Sequence, residues 1–292
     1  MPINFLNHYQ HRIERVLHQI LPYSHPLYPT LAEAVRYSAY MNGGKRLRPT
    51  LTYMTAALLG TPLYRVDTPA AAIECVHCFS LIHDDLPAID NADIRRGQPS
   101  CHKVFGEDMA ILTGDALLSL AFELLTTRQT LSETKRLKMI QLLSQSTSNM
   151  IAGQVADIKN TALTNYSLDT LQQLHQLKTG ALLKTSILLG AIPCLEQQST
   201  EYDQLAQFGE QFGLLYQICD DILDVVADTM TLGKAAGSDK ALGKRTFVDL
   251  LGLAGARQHA KNLCDSAIEQ LERFSETSEL ITLTLFVYKR TL

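Results

Sequence analysis

The chain has 292 residues, 46% of them apolar, and a formal net charge of −4 at pH 7. That composition supplies a sizeable core and argues against disorder, and without a broad basic field nucleic acid is not expected as a partner, although local cationic clusters can still bind small anions. Six cysteines without zinc-type spacing, Cys75 and Cys78 forming the one close pair, are expected to be reduced thiols of the core.

Segment 1–5, Met-Pro-Ile-Asn-Phe, has no basic region leading into an apolar core, so no secretory signal is expected. From residue 8 to 20 the apolar positions Ile13, Val16, Leu17 and Ile20 recur at helical spacing. Comparable stripes predict helices over 31–41, 49–59, 70–83, 110–127, 132–158, 167–190 and 202–226, with weaker ones after Thr246. Pro and Gly break the pattern at 21–29, 60–62, 87–99, 190–193 and 233–243, which are read as loops. The uncharged stretches 49–64 and 139–156 are interrupted by Gly, Pro, Ser, Thr or Gln and fall short of the roughly 20 apolar residues of a spanning helix, so no transmembrane segment is predicted and the protein is placed in the cytoplasm. Strand-type alternation is absent and no linker divides the chain. The prediction is an all-α fold with a single domain over 1–292.

Two acidic clusters each follow an apolar helical run: Asp84, Asp85 and Asp90 after 73–82, and Asp220, Asp221 and Asp224 after 212–218. On a helix Asp220 and Asp224 share a face. Two carboxylates ~4 Å apart repel by roughly 4 kcal/mol at an effective dielectric near 20, a conflict that a divalent cation removes. Oxygen-only ligation favours magnesium, which completes its shell with water and substrate phosphates. Pro87 interrupts the first helix, so Asp90 must return to Asp84 through a bend. A lone Asp-Asp pair is most simply a solvated helix end; two such clusters beside separate phosphate-binding cations favour metal.

Those cations are Lys45, Arg46 and Arg48, three positive charges behind Gly43-Gly44 at a helix start, and the pair Arg95-Arg96 just after the first acidic cluster. His77 could donate to a phosphate or merely satisfy a buried polar contact, and Lys178-Thr179-Gly180, inside a predicted helix, could be a functional break or a packing feature. A metallohydrolase reading of His83-Asp84 is the weaker one. The segment 231–244, with three glycines and three lysines, reads as a mobile lid over an anion.

Together these residues resemble the trans-isoprenyl diphosphate synthase family, in particular its bacterial fifteen-carbon branch. Gly43 to Pro49 is similar to the family's GGKRxRP motif, Asp84 to Asp90 to its first aspartate-rich motif with two extra residues, and Asp220 to Asp224 to its second. Gly114-Asp115, Gly153-Gln154 with Asp157, Lys178-Thr179-Gly180, Gln217 and the stretches at Gly233-Lys234 and Gly243-Lys244 extend the likeness over nearly the whole chain. The resemblance implies a helical bundle around a central cavity, of isoprenoid synthase type, that condenses isopentenyl diphosphate with dimethylallyl or geranyl diphosphate to farnesyl diphosphate. It implies several magnesium ions held by Asp84, Asp85, Asp90, Asp220, Asp221 and Asp224. Gly44, Lys45, Arg48, His77 and Arg96 would hold isopentenyl diphosphate, and Arg95, Lys178, Lys234 and Lys244 the allylic diphosphate. The Lys178 carbonyl, Thr179 and Gln217 would face an allylic cation, Phe79 and Ser80 would set chain length, and the assembly would be a homodimer.

The sequence departs from the family at Asn91 and Ala92, where relatives carry more aspartates, and its ending, Tyr288-Lys289-Arg290-Thr291-Leu292, fits the usual basic terminus only loosely. Rival readings are a geranylgeranyl diphosphate synthase, a class I terpene cyclase and a noncatalytic partner subunit. An all-aspartate second motif and the extra cations Lys45 and Arg48 speak against the last two.

Overall fold

Helices form where the apolar stripes place them, in a computed structural model that describes residues 4–21, 28–40, 44–127, 131–160, 167–226, 245–274 and 277–291. Helix α1 (Asn4–Ile20) turns Tyr9, Ile13, Val16 and Leu17 inward at the spacing of one helical face. It is followed by α2 (Pro29–Tyr40), α3 (Leu47–Leu58) and α4 (Asp67–Asp84). Helix α4 is buried nearly all round, as its Ala-, Ile- and Val-rich sequence dictates. Its first residue, Asp67, accepts two hydrogen bonds from Arg12 (2.7 and 2.8 Å) and one from the Tyr53 hydroxyl (2.8 Å), which joins α1, α3 and α4 at one point.

Beyond α4 come α5 (Cys101–Phe105), α6 (Glu107–Thr127), α7 (Glu133–Asn160), α8 (Leu168–His175), α9 (Ala181–Ala191), α10 (Thr200–Val226), α11 (Phe247–Leu271) and α12 (Ser278–Lys289). Helix α4 packs on α6 and α3, α10 packs on α11 and α9, and the α3–α9 contact joins the two groups. There the α-carbon of Gly190 lies so close to Thr52 that a β-carbon would sit 2.4 Å from its carbonyl oxygen. The architecture is all-α, as predicted. All six cysteines are free thiols, five of them buried and Cys194 exposed.

Three features were not predicted. The loop after α4 contains a small ribbon, β1 (Ile94–Arg95) against β2 (Gln98–Pro99), whose two turn residues, Arg96 and Gly97, both have positive φ (54° and 76°) as a two-residue hairpin requires. The predicted helix 167–190 is interrupted by a π-helical turn, Gln176–Gly180. Finally, Glu107–Thr126 is one helix long and apolar enough to cross a membrane by length and composition; 39% of it is buried, mainly against α4. The core helix of a globular protein meets the same description.

Candidate active site

The first acidic cluster is shaped by the end of α4. Pro87 stops the helix, and the chain folds back so that the Asp90 N–H donates to the Asp84 carbonyl (2.9 Å) and the Asn91 N–H to that of Leu86 (3.0 Å). The bend inferred from sequence therefore exists, and it returns Asp90 to Asp84. Burial, opposed by Lys178 and reinforced by Asp90, pushes the Asp84 carboxyl up to about 6. Asp85 faces the other way: it is buried and accepts from Arg95, whose Nε lies 3.1 Å from both oxygens.

On α10 the second aspartate is likewise engaged internally. Asp221, 2% exposed, accepts from the Gln217 amide (2.9 Å) and from the Phe247 backbone N–H (2.8 Å) at the start of α11. Gln217 in turn accepts from the Thr179 hydroxyl (3.2 Å), so one hydrogen-bonded chain runs from the π turn to the second acidic motif. Asp220 is half-buried and Asp224 buried. Among the described residues no three acidic, His or Cys side chains close on a single point.

The Gly44–Arg48 turn sorts its three cations by backbone geometry. Arg46 adopts a left-handed conformation (φ 48°) and points into the core, where it pairs with Glu74 (2.7 Å) and donates to the Ala39 carbonyl (2.7 Å). The three charges expected to face an anion are therefore two, Lys45 and Arg48. A β-carbon on Gly44 would sit 2.6 Å from Arg96 Nη1, so the glycine is what lets Arg96 approach. Burial lowers the pKa of Lys45, with Arg290 and Arg96 adding to the effect and Asp220 opposing it. Burial first, then Arg48, Arg96, Arg46 and Arg95, pushes His77 well below its ordinary value and leaves it neutral at pH 7. Arg290, to which the sequence reading gave no role, adds its charge beside Lys45 and Tyr216 and completes this cationic pocket. The loosely basic C-terminus was its only sequence signal.

Between α4, α7 and the π turn lies a cavity of about 360 Å³, which Arg48, His77, Phe79, Asp84, Lys178 and Thr179 help to line. Ser80 also lines it. The wide turn is accommodated by glycines on both neighbours. A β-carbon on Gly153 of α7 would lie 2.4 Å from the Lys178 nitrogen, and one on Gly213 of α10 would lie 2.8 Å from the Gly180 α-carbon. Lys178 reaches back to Asp157 (2.5 Å). Lys234 and Lys244, together with the lysine- and glycine-rich segment 231–244, lie outside the described residues.

The sequence model of the polyprenyl synthetase family matches residues 28–283. The chain belongs to the polyprenyl synthetase family. This synthetase is 43% identical to the farnesyl diphosphate synthase of Escherichia coli K12 over 268 residues, 89% of either chain. It is 42% identical to the chloroplastic geranylgeranyl pyrophosphate synthase of Capsicum annuum, over 88% of this chain and 71% of that one. Its fold matches the crystal structure of a geranyltransferase from Legionella pneumophila with a TM-score of 0.88 at 33% identity, covering 99% and 97% of the two chains. An apo farnesyl/geranylfarnesyl diphosphate synthase from Zymomonas mobilis matches at 0.86 and 36% identity, over 98% of each. The family and the all-α class expected from the motifs are thereby shown for this polyprenyl synthetase.

Proposed function

We propose that the protein condenses isopentenyl diphosphate with dimethylallyl and then geranyl diphosphate and releases farnesyl diphosphate. One observation carries the reading: the half-buried Asp84 with Lys178 on one side, and Arg48 with His77 on the other, open on one cavity whose remaining wall is largely apolar. Two anions and one hydrocarbon chain account for all three parts.

Magnesium fits the acidic side: burial first, with Asp90 adding to it and Lys178 opposing, disfavours the charged form of Asp84, and a bound divalent cation would favour it through oxygen-only ligands. Asp84 and Asp90 from one side and Asp220 and Asp224 from the other would hold it, with substrate oxygens and water completing each shell. When bound, it supplies positive charge to the departing diphosphate. Asp85 and Asp221 act through other groups, the first by fixing Arg95 and the second by orienting Gln217. Arg95 and Lys178 bind the allylic diphosphate; Lys45, Arg48, His77, Arg96 and Arg290 bind isopentenyl diphosphate. The Lys178 carbonyl, the Thr179 hydroxyl and the Gln217 carbonyl present oxygen dipoles to the allylic cation formed when the carbon–oxygen bond breaks. The isopentenyl double bond attacks that cation, and the released diphosphate takes the proton that the new chain loses.

Phe79 closes the cavity beneath a fifteen-carbon chain, with Ser80 beside it. The likeness to the Capsicum enzyme favours, as a second reading, a twenty-carbon product. The protein is further proposed to work in the cytoplasm as one domain and as a homodimer, for which the exposed Ile111 and Leu112 on α6 offer an apolar surface. The test is to incubate purified protein with magnesium, isopentenyl diphosphate and either allylic partner, and to resolve the product chain lengths. Farnesyl product, lengthened in Phe79→Ala, supports the proposal; no condensation by folded protein overturns it, and a cyclised hydrocarbon replaces it with a cyclase.

A further inference from the structure

Phe79 does not hold its place alone. One turn further along α4, on the same face, His83 meets it edge-to-face, with ring centroids 4.8 Å apart and planes at 74°. The His83 ring is fixed from the far side by α6. Its Nε2 lies 3.1 Å from the Ile111 carbonyl oxygen, which can only accept, so Nε2 carries the hydrogen. Asp115 Oδ1 lies 4.0 Å from the same nitrogen. Beneath the ring is Gly114, where a β-carbon would be 2.2 Å from Nε2 and 2.4 Å from Cδ2. The seat for the imidazole therefore exists because residue 114 has no side chain.

From this geometry we propose that His83, seated on Gly114 and tied to Ile111, is a positioning residue that locks the Phe79 ring and thereby fixes product length. The inference rests on the proposed role of Phe79 as the cavity floor. For a chain of more than fifteen carbons to pass, Phe79 must rotate, and both rings line the cavity that the chain would enter. On this proposal the His83 ring, packed against the phenyl with centroids 4.8 Å apart, opposes that rotation. Without the α6 anchor the imidazole moves with the phenyl ring, and the floor yields.

The experiment compares four variants, Phe79→Ala, His83→Ala, Gly114→Ala and the double variant Phe79→Ala/His83→Ala, each checked for folding by its melting curve. The readout is the ratio of twenty- to fifteen-carbon product with geranyl diphosphate and excess isopentenyl diphosphate, a ratio that a uniform loss of activity does not move. His83→Ala and Gly114→Ala are expected to raise it about fivefold, the order of one aromatic pair contact. The double variant is expected to match Phe79→Ala alone, because a lock has nothing to act on once the floor is gone. If Phe79→Ala lengthens the product while the two lock variants keep the parental ratio, the lock is wrong and the floor stands. If His83→Ala multiplies the effect of Phe79→Ala, His83 is itself a wall, and the lock is again overturned. If Phe79→Ala gives no longer product, the floor reading fails and takes the lock with it.

Discussion

At the scale of single residues, the motifs contain side chains of two kinds that look alike in sequence. Asp85 and Asp221 sit inside acidic clusters, yet each is consumed by internal donors. An amide at 221 would turn a donor toward another donor, so Asp221→Asn is expected to cost about 1–3 kcal/mol and to lower kcat more than it raises KM, checked by melting and steady-state kinetics. His77 gives a pH signature. Its folded pKa lies well below the ordinary 6.5, so between those values the unfolded chain binds a proton that the folded one does not. Its contribution to stability is complete above pH 6.5 and is lost as pH falls toward the folded pKa, at up to about 1.4 kcal/mol per pH unit. Melting temperature against pH should therefore fall less steeply below 6.5 in His77→Gln than in the parent. Residue types and spacing made the clusters legible. Which member turns inward was not, because at Arg46 a single left-handed φ decides it, and at Asp221 a partner 26 positions away does.

At the scale of elements, apolar periodicity located the helices well, since burial of one face is what makes a helix stable. It could not reveal the π turn at Gln176–Gly180, where one extra residue shifts the phase without changing composition. The glycines opposite were visible, but only the packed structure gives them a purpose. At Gly153 the atoms met by an added methyl are backbone and cannot swing away. Gly153→Ala is expected to destabilise by about 1–3 kcal/mol and, by displacing Lys178 and Thr179, to reduce kcat disproportionately; melting and kinetics on the same preparation check both. The ribbon at 94–99 was read as loop because two-residue strands carry no period of their own.

At the scale of the whole molecule, a chain of net charge −4 concentrates unpaired positive charge in one pocket. Among the described residues Arg95 and Lys178 have carboxylate partners, whereas Lys45, Arg48 and Arg96 form no ion pair. Inorganic diphosphate should therefore stabilise the protein even with magnesium chelated, by about 2.7 kcal/mol at a hundredfold excess over its dissociation constant. The gain, read as a rise in melting temperature, should shrink with added salt and disappear in Lys45→Ala/Arg48→Ala.

The hairpin between the two sites carries a further consequence. Arg95 turns to Asp85 and the acidic side, while the next residue, Arg96, leaves in a left-handed turn toward Gly44 and His77. On the proposed assignment, the two reactants are spaced by one peptide unit, about 3.8 Å between α-carbons, so the ribbon works as a gauge for the distance at which carbon meets carbon. A residue inserted between Arg95 and Arg96 would leave every anion-binding side chain in the protein and still put the reacting ends out of register.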